Sequence, residues 1–455
     1  MGITLVQKSD LSRKKTNAKT ALVLAGGAIS GGTFKVGGIK ALNDFLLNKK
    51  VTDFDIYVGL SAGGFLAAPL AGGIPPEEIL KSLDGSSSYF TQLSPLHLYW
   101  PNFSDFVLRP LRYLYRRGIY IPSTIYDLLS TISSLRYTLK DGFLRFMSNP
   151  SYSNFEILIK PLARTMYSAR SLPSIMEAIP QGLFDNKPIE KYLRENMKRN
   201  HLTNNFKVLK KLREKSLYIT ACNIETSERV VFGHDEKNDI TISQAVQAST
   251  ALPLFYKPAR IKGVDYVDGA VRNTANIDLA IEKGADLIIC YNPFRPFNNK
   301  IMIEYLKEEN KYVTRNNRLS ESGVFMILNQ VFRTLLHTRL RHAVTYYEHN
   351  KNFKGDIILI EPKEDDARFF EMNPLAFWNR AKAAKLGFIS VRDSINRRFD
   401  EISRILNSYG IEMTREVVEL DINKMSKPSL DDSTIMNVLE RESPRRHLHL
   451  VSGWE

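Results

Sequence analysis

The chain is 455 residues long, 43% apolar and 25% charged, with a formal net charge of +14. A chain of that length and balance can bury a large core, which excludes the disordered and fibrous classes and leaves one big domain with insertions or two domains. The two cysteines, Cys222 and Cys290, sit in the apolar runs "LYITACNI" and "DLIICYNP", a pattern that supports neither a disulfide framework nor a metal site and fits a reducing, cytoplasmic setting.

Excess positive charge serves attraction either to anionic lipid surfaces or to nucleic acid. The basic residues here are spread along the chain without zinc-finger spacing, an RNP-type signature or a long Lys/Arg run, so no nucleic-acid partner is expected. The opening "MGITLVQKSDLSRKKTNAKT" lacks the apolar h-region of a signal peptide, and Val6 stands where the N-myristoylation pattern requires Ser or Thr. No stretch is apolar for long enough to cross a bilayer, so contact with a membrane surface is expected to be peripheral.

In chain order, residues 1–19 read as a basic flexible tail. "TALVLAGGAISGGTFKVGGIKALNDFLL" then reads as a buried strand, a glycine-rich loop and a helix. The backbone N–H groups of Gly26, Gly27 and Ala28 can point into a common space and bind a negative oxygen, while close helix packing is the plainer use of such glycines. A nucleotide-phosphate loop is excluded by detail, because Ala28 stands at a required glycine and no Gly-Lys-Ser/Thr follows. Next, "DIYVGLSAGG" places Ser61 between Gly59 and Gly63, after an alternating strand and before the apolar run of a helix. Such a turn either lets Ser61 cap the helix or holds its hydroxyl in a strained, exposed elbow where it attacks a carbonyl.

Residues 86–180 lose the sheet rhythm and read as a helical insert. Between 89 and 170 stand sixteen of the chain's 47 aromatic residues, with ten basic against four acidic side chains. That mixture suits a lipid–water interface, and it equally suits a helical subdomain packing its own core. Strand signals return at "SLYITACNI", "RVVFG", "GVDYVDG", "DLIICYNP" and "DIILIEP". A helix over about 322–349 is expected to turn Val324, Ile327, Val331, Leu335 and Leu340 to the core and Arg333, Arg339 and His342 to solvent. From about 364 onward the chain reads as helical and mixed in charge.

A serine hydroxyl needs a base. Of the histidines, His337, His342 and His349 fall on or near the long helix, His447 and His449 in the tail, and His234 in a hairpin-like turn, so none fits a triad. A carboxylate is the alternative. Asp268 ends a short β-like run and precedes Gly269, which leaves its side chain at a strand end, although an Asp-Gly pair alone is usually only a turn. Asp265, of opposite strand parity, is a weaker candidate.

Taken together and in this order, "LVLAGGAISGG", "GLSAGG", "QGLFDNKPI", "QASTALPLFYKP" and "YVDGAVRN" resemble the patatin-like phospholipases, over most of residues 20–362. The resemblance implies a three-layer α/β/α fold with a mostly parallel central sheet, carried by residues 20–397 with the 86–180 insert inside it and followed by a helical C-terminal extension over 398–455. It implies hydrolysis of lipid acyl esters, of the phospholipase A or lysophospholipase type, by a Ser–Asp dyad without a metal or other cofactor. Ser61 matches the nucleophile and Asp268 the base. Gly26, Gly27 and Ala28 match the oxyanion loop, with Gly31 completing its turn and Gly59, Gly63 and Gly269 supporting the motifs. Ala28 replaces the loop's usual third glycine, and Ser30 stands where many members carry a basic residue.

The implied partner is a phospholipid or other acyl-ester lipid at a membrane surface, with the insert covering the sheet's C-terminal edge and touching lipid. Two alternatives share the fold: an acyltransferase using the same acyl-serine, and a membrane-surface binding protein that has lost turnover.

Overall fold

The structure is a computed structural model that describes residues 2–15, 17–166, 175–301, 303–306, 311–314, 318–370, 377–426 and 431–445, without the side chains of 28–31, 117, 120, 121, 123, 124, 127, 128, 131, 132, 161–166, 175, 303–306, 311–314, 325, 369 and 377. His447 and His449 lie outside the described residues. The chain divides into two compact units, one of residues 1–100 with 186–455 and one of residues 101–185. Residues 86–100, read in the sequence with the helical insert, belong to the first unit, where Phe90, Leu93 and Leu98 are buried.

The first unit is built on a nine-stranded sheet. Its strands are β1 (Ile3–Gln7), β2 (Thr20–Leu24), β3 (Ile56–Leu60), β4 (Ser216–Asn223), β5 (Arg229–Phe232), β6 (Ala259–Ile261), β7 (Val264–Asp268), β8 (Leu287–Tyr291) and β9 (Asp356–Ile360). They lie in the order β1-β9-β8-β2-β3-β4-β7-β6, with β5 also on β4. From β9 to β4 the pairs are parallel, and β1, β5, β6 and β7 join antiparallel at the margins. Strands β2, β3, β8 and β9 are buried at every residue, as a parallel sheet covered on both faces requires.

The helices of this unit used below are α1 (Ala28–Phe45), α2 (Ala62–Ala71) and α3 (Pro76–Asp84). The second unit carries α4 (Phe103–Ser134), α5 (Arg136–Ser148) and α6 (Tyr152–Met166). Returning to the first, α7 (Ile242–Ser249), α8 (Ile277–Glu282) and α9 (Val324–His349) follow. The last four are α10 (Arg380–Asn396), α11 (Phe399–Ser408), α12 (Glu416–Met425) and α13 (Asp432–Leu439). Strand alternation divides the sheet between two layers. Ala21, Val23, Val58, Ile288 and Leu359 pack with Ile277 and Leu279 of α8 and Leu340 and Val344 of α9. On the other side, α2 packs on β2, β3 and β4, α10 meets β9, and α1 packs against both of these helices. No described helix is long and apolar enough to cross a membrane.

Three sequence expectations are corrected. Residues 1–19 are not simply a flexible tail: β1 pairs with β9 from Ile3↔Ile360 to Gln7↔Asp356 and buries Ile3 and Val6. The Asp356 carboxylate then accepts the N–H groups of Lys8 and Ser9 at 2.8 and 3.0 Å, which holds the chain where β1 ends. Gly31 lies in the first turn of α1 and not in the loop, because the helix begins at Ala28. In α9 the first half leaves Val324, Ile327, Val331 and Leu335 exposed, whereas Arg333 is buried, its guanidinium 5.2 Å from the ring centres of both Phe294 and Phe370.

The C-terminal helices brace α1. It crosses α10 so closely that a side chain at Gly37 would strike the Ala384 carbonyl, and one at Gly387 the Phe34 carbonyl. Further along α1, buried Lys40 and Asp44 pair at 2.6 Å, and Ser443 is held there by Asn43 at 2.8 Å, by Asp44 at 2.5 Å and, through its N–H, by Glu77 of α3 at 2.9 Å.

Candidate active site

Sheet register brings the two ends of the sequence motif together. Leu60 of β3 pairs with Thr220 of β4, and the next residue of β4, Ala221, pairs with Asp268 of β7. Ser61 therefore leaves β3 at the level of Asp268 with one strand between them, a backbone separation of about 10 Å. The Ser61 hydroxyl spans enough of that gap to draw the Asp268 pKa downward.

Ser61 sits at φ 55, ψ −129, a backbone conformation that costs a non-glycine residue roughly 1–3 kcal/mol and persists only where the surroundings hold it. Those surroundings are specific. The Ser61 N–H donates to Ser249 Oγ at 2.7 Å, and that hydroxyl donates to the Thr220 carbonyl at 2.7 Å. The turn also needs its glycines, because a side chain at Gly63 would strike the Leu24 carbonyl and one at Gly59 the Cα of Gly64. Ser61 makes no side-chain cap hydrogen bond to α2, so its hydroxyl is free of the role that a simple turn serine plays.

Asp268 is buried. Its Oδ1 accepts the Ala270 N–H at 2.9 Å, and its own N–H donates to the Ala251 carbonyl at 2.9 Å. Oδ2 is buried without a hydrogen bond of ordinary geometry, as a base awaiting a tighter contact with its serine would be. Burial pushes its pKa up to about 6, against the opposing pull of the Ser61 hydroxyl, the Ala270 amide and the Lys35 charge. Asp265 does not join it, being paired with Arg260 at 2.6 Å on the β6–β7 hairpin. No histidine among the described residues lines the cavity beside Ser61, and His337 instead pairs with Glu361 at 3.4 Å.

The glycine-rich loop lies against the serine. A Cβ at Gly26 would stand 3.6 Å from Ser61 Cβ, and Gly27 is the extended residue preceding α1. Ala28 opens the helix and so takes the negative φ of helical backbone, which keeps its N–H as a donor without strain. The first N–H groups of an 18-residue helix have no partner within it and carry partial positive charge. Beside Ser61 is an apolar cavity of about 80 Å³, lined among others by Val36, Phe65, Leu66, Leu83, Leu98 and Leu252. Asn186, fully buried, donates to the Gln247 carbonyl at 2.7 Å and to Thr250 Oγ1 at 3.1 Å, which ties the "DNKP" and "QASTALP" segments together at the cavity.

Lys35 is the residue that sequence reasoning missed. It is fully buried on α1, its Nζ donates to the Ala25 carbonyl, and it faces both Asp268 and Cys290. The available signal was a lysine in the small and apolar stretch "GGTFKVGG", with no acidic residue four positions away on either side.

A family model described as "Patatin-like phospholipase" matches residues 22–281, more than half of the chain. The protein named "Probable lipid hydrolase 463L" of Invertebrate iridescent virus 6 is 24% identical over 174 residues, 36% of this chain and 60% of that protein, so this chain spans less than two thirds of its length. Among solved structures, VipD from Legionella pneumophila is 14% identical, with 96% of this chain and 86% of that one covered at a TM-score of 0.28. Full-length ExoU of the Pseudomonas aeruginosa type III secretion system, in its complex with SpcU, is 14% identical, with 96% and 69% covered at 0.27.

Proposed function

This chain belongs to the patatin-like phospholipase family, and from that premise we propose that it is a lipid acyl hydrolase of the phospholipase A or lysophospholipase type, with Ser61 as nucleophile and Asp268 as its base. The observation that supports this most directly is a serine in a strained turn, without a capping bond, at the same sheet level as a buried aspartate whose Oδ2 is unpartnered.

In the acylation step Asp268 takes the Ser61 proton while Oγ attacks the ester carbonyl. The N–H groups of Gly26, Gly27 and Ala28, backed by the positive end of α1, hold the oxyanion. The proton then passes to the departing alcohol and leaves an acyl-serine. Water attacks that ester, Asp268 takes the water's proton and returns it to Ser61 Oγ, and the fatty acid is released. The apolar cavity receives the acyl chain. Its roughly 80 Å³ is below the 300–1,000 Å³ of a usual ligand site, so a long acyl chain requires its walls to part.

A base must be ionised to act, so kcat/KM should fall as pH drops through about 6. The test is labelling by a fluorophosphonate probe in wild type, Ser61→Ala and Asp268→Asn, with fatty-acid release from phospholipid vesicles measured in parallel. Loss of both signals in both variants is expected. Labelling that survives Ser61→Ala would reject the assignment, and transfer to an added alcohol acceptor in preference to water would move the reading to acyltransferase.

A further inference from the structure

Lysines 35 and 40 lie on the same helix, both fully buried, and their surroundings differ. Lys40 has the ordinary compensation, the carboxylate of Asp44 one turn away at 2.6 Å. Lys35 has no carboxylate one turn away on its helix: Gly31 and Ile39 occupy the corresponding positions. Its Nζ donates instead to the carbonyl of Ala25, the residue that joins β2 to the glycine loop. A Cβ at Gly27 would come within 2.8 Å of Lys35 Cε and 3.0 Å of its Nζ, so the side chain lies directly behind the loop. Burying an amine in this way is costly, by several kcal/mol for an ion without a close counter-ion, and the same volume is easily filled by an apolar residue.

We propose that Lys35 is a positioning residue of the active site, holding the Ala25–Gly27 loop from the protein interior and placing a positive charge behind both that loop and Asp268. This rests on the catalytic reading above. The charge favours the ionised, proton-accepting form of Asp268 and adds to the potential of the amides that hold the oxyanion. Lys35 thus supplies from within the core a cation that Ser30, where many family members carry a basic residue, does not supply.

The groups facing Lys35 are Asp268 from β7 and the Cys290 thiol from β8, with Glu361, after β9, reaching Cys290 in turn. Burial drives the thiol pKa far up and keeps it neutral, so Asp268 is the anion that matters. Burial also brings the Lys35 pKa down to about 7, with Asp268 and Cys290 acting in the opposite sense. The supporting charge is therefore present below pH 7 and lost as pH rises through about 7.

The experiment compares the pH dependence of fluorophosphonate labelling and of kcat/KM on a soluble ester in wild type, Lys35→Met and Lys35→Gln. Methionine fills the space without charge, and glutamine keeps a donor for the Ala25 carbonyl. The expected result is a drop in kcat of about 10–100-fold with little change in KM. The acid limb should shift to higher pH, because Asp268 loses a stabilising cation, and the alkaline decline should disappear. An even loss at every pH with both limbs in place, in folded protein, would overturn the proposal and leave Lys35 a packing residue. A second measurement does not depend on turnover: the ¹³Cε resonance of Lys35, assigned by its absence in Lys35→Met, should titrate near pH 7 and move to lower pH in Asp268→Asn. An unmoved midpoint would refute the coupling. Wild type that fails to label while this midpoint still responds would count against the hydrolase reading and in favour of the Lys35–Asp268 pairing.

Discussion

The two units of the chain treat their apolar side chains in opposite ways. In the sheet unit Leu22, Leu24, Val58 and Ile288 are wholly enclosed, each strand being covered on both faces. In the helical unit Leu111 is 58% exposed, Tyr115 71% and Tyr126 73%, and Leu129, Leu144 and Met147 are likewise in the open. Its helices do touch. Phe146 and Phe155 meet with ring centres 5.8 Å apart, and Gly142 lets α5 approach the backbone of α6. Yet many of its described apolar side chains remain exposed and are left available for contact with something else. Apolar composition alone thus conceals two different uses.

Four outcomes would sharpen or break this contrast. The largest is Leu22→Ala in β2, which should cost about 2–5 kcal/mol of stability by denaturant titration, because the surrounding layers cannot close the cavity. Next is Asp268→Asn, which should raise stability by about 1–3 kcal/mol at pH 8 while abolishing turnover. The sign follows from the pKa. The aspartate is raised from 3.8 to about 6 in the fold, so its neutral form is preferred there, and the contribution lost as pH rises through 6 is regained by the asparagine. Below pH 4 the two proteins should be equally stable, and a difference that persisted there would mean a packing effect.

Smaller again is the paired charge reversal Arg112→Glu and Arg136→Glu on the exposed helices. At about 1 kcal/mol per charge near an anionic surface, it should weaken sedimentation with phosphatidylserine vesicles at least tenfold and leave hydrolysis of a soluble ester intact. Unchanged sedimentation would remove the helical unit from any lipid contact. The smallest effect is Leu111→Ala on α4, expected to change stability by less than about 0.5 kcal/mol. A loss of several kcal/mol there would mean that this side chain is covered in solution and that the contrast between the units is false.

The parallel core was legible because each of its strands is a short apolar run bounded by glycine or a polar turn, as in "TALVLAGG" and "DLIICYNP". The motif glycines were legible for a related reason, since close backbone approach permits nothing larger. Strand β1 was not legible, because "ITLVQ" is one short run among basic residues and only the partner strand explains it. The orientation of α9 was misread since periodicity gives a stripe but not the side that is buried, and the rings of Phe294 and Phe370 make a better site for Arg333 than solvent does. Lys35, twenty-six residues before the serine, escaped notice for the most general reason: a lysine in a sequence is taken as solvated, and only three dimensions show it behind the glycine loop.

The bracing of α1 has a consequence in time. The loop at the start of that helix is synthesised early, whereas the groups that hold the helix, Ala384, Gly387 and Ser443, come hundreds of residues later. A growing chain therefore carries Ser61 and its glycine loop long before α1 has the neighbours that set its direction. The order of synthesis delays completion of this scaffold until the C-terminal helices have left the ribosome.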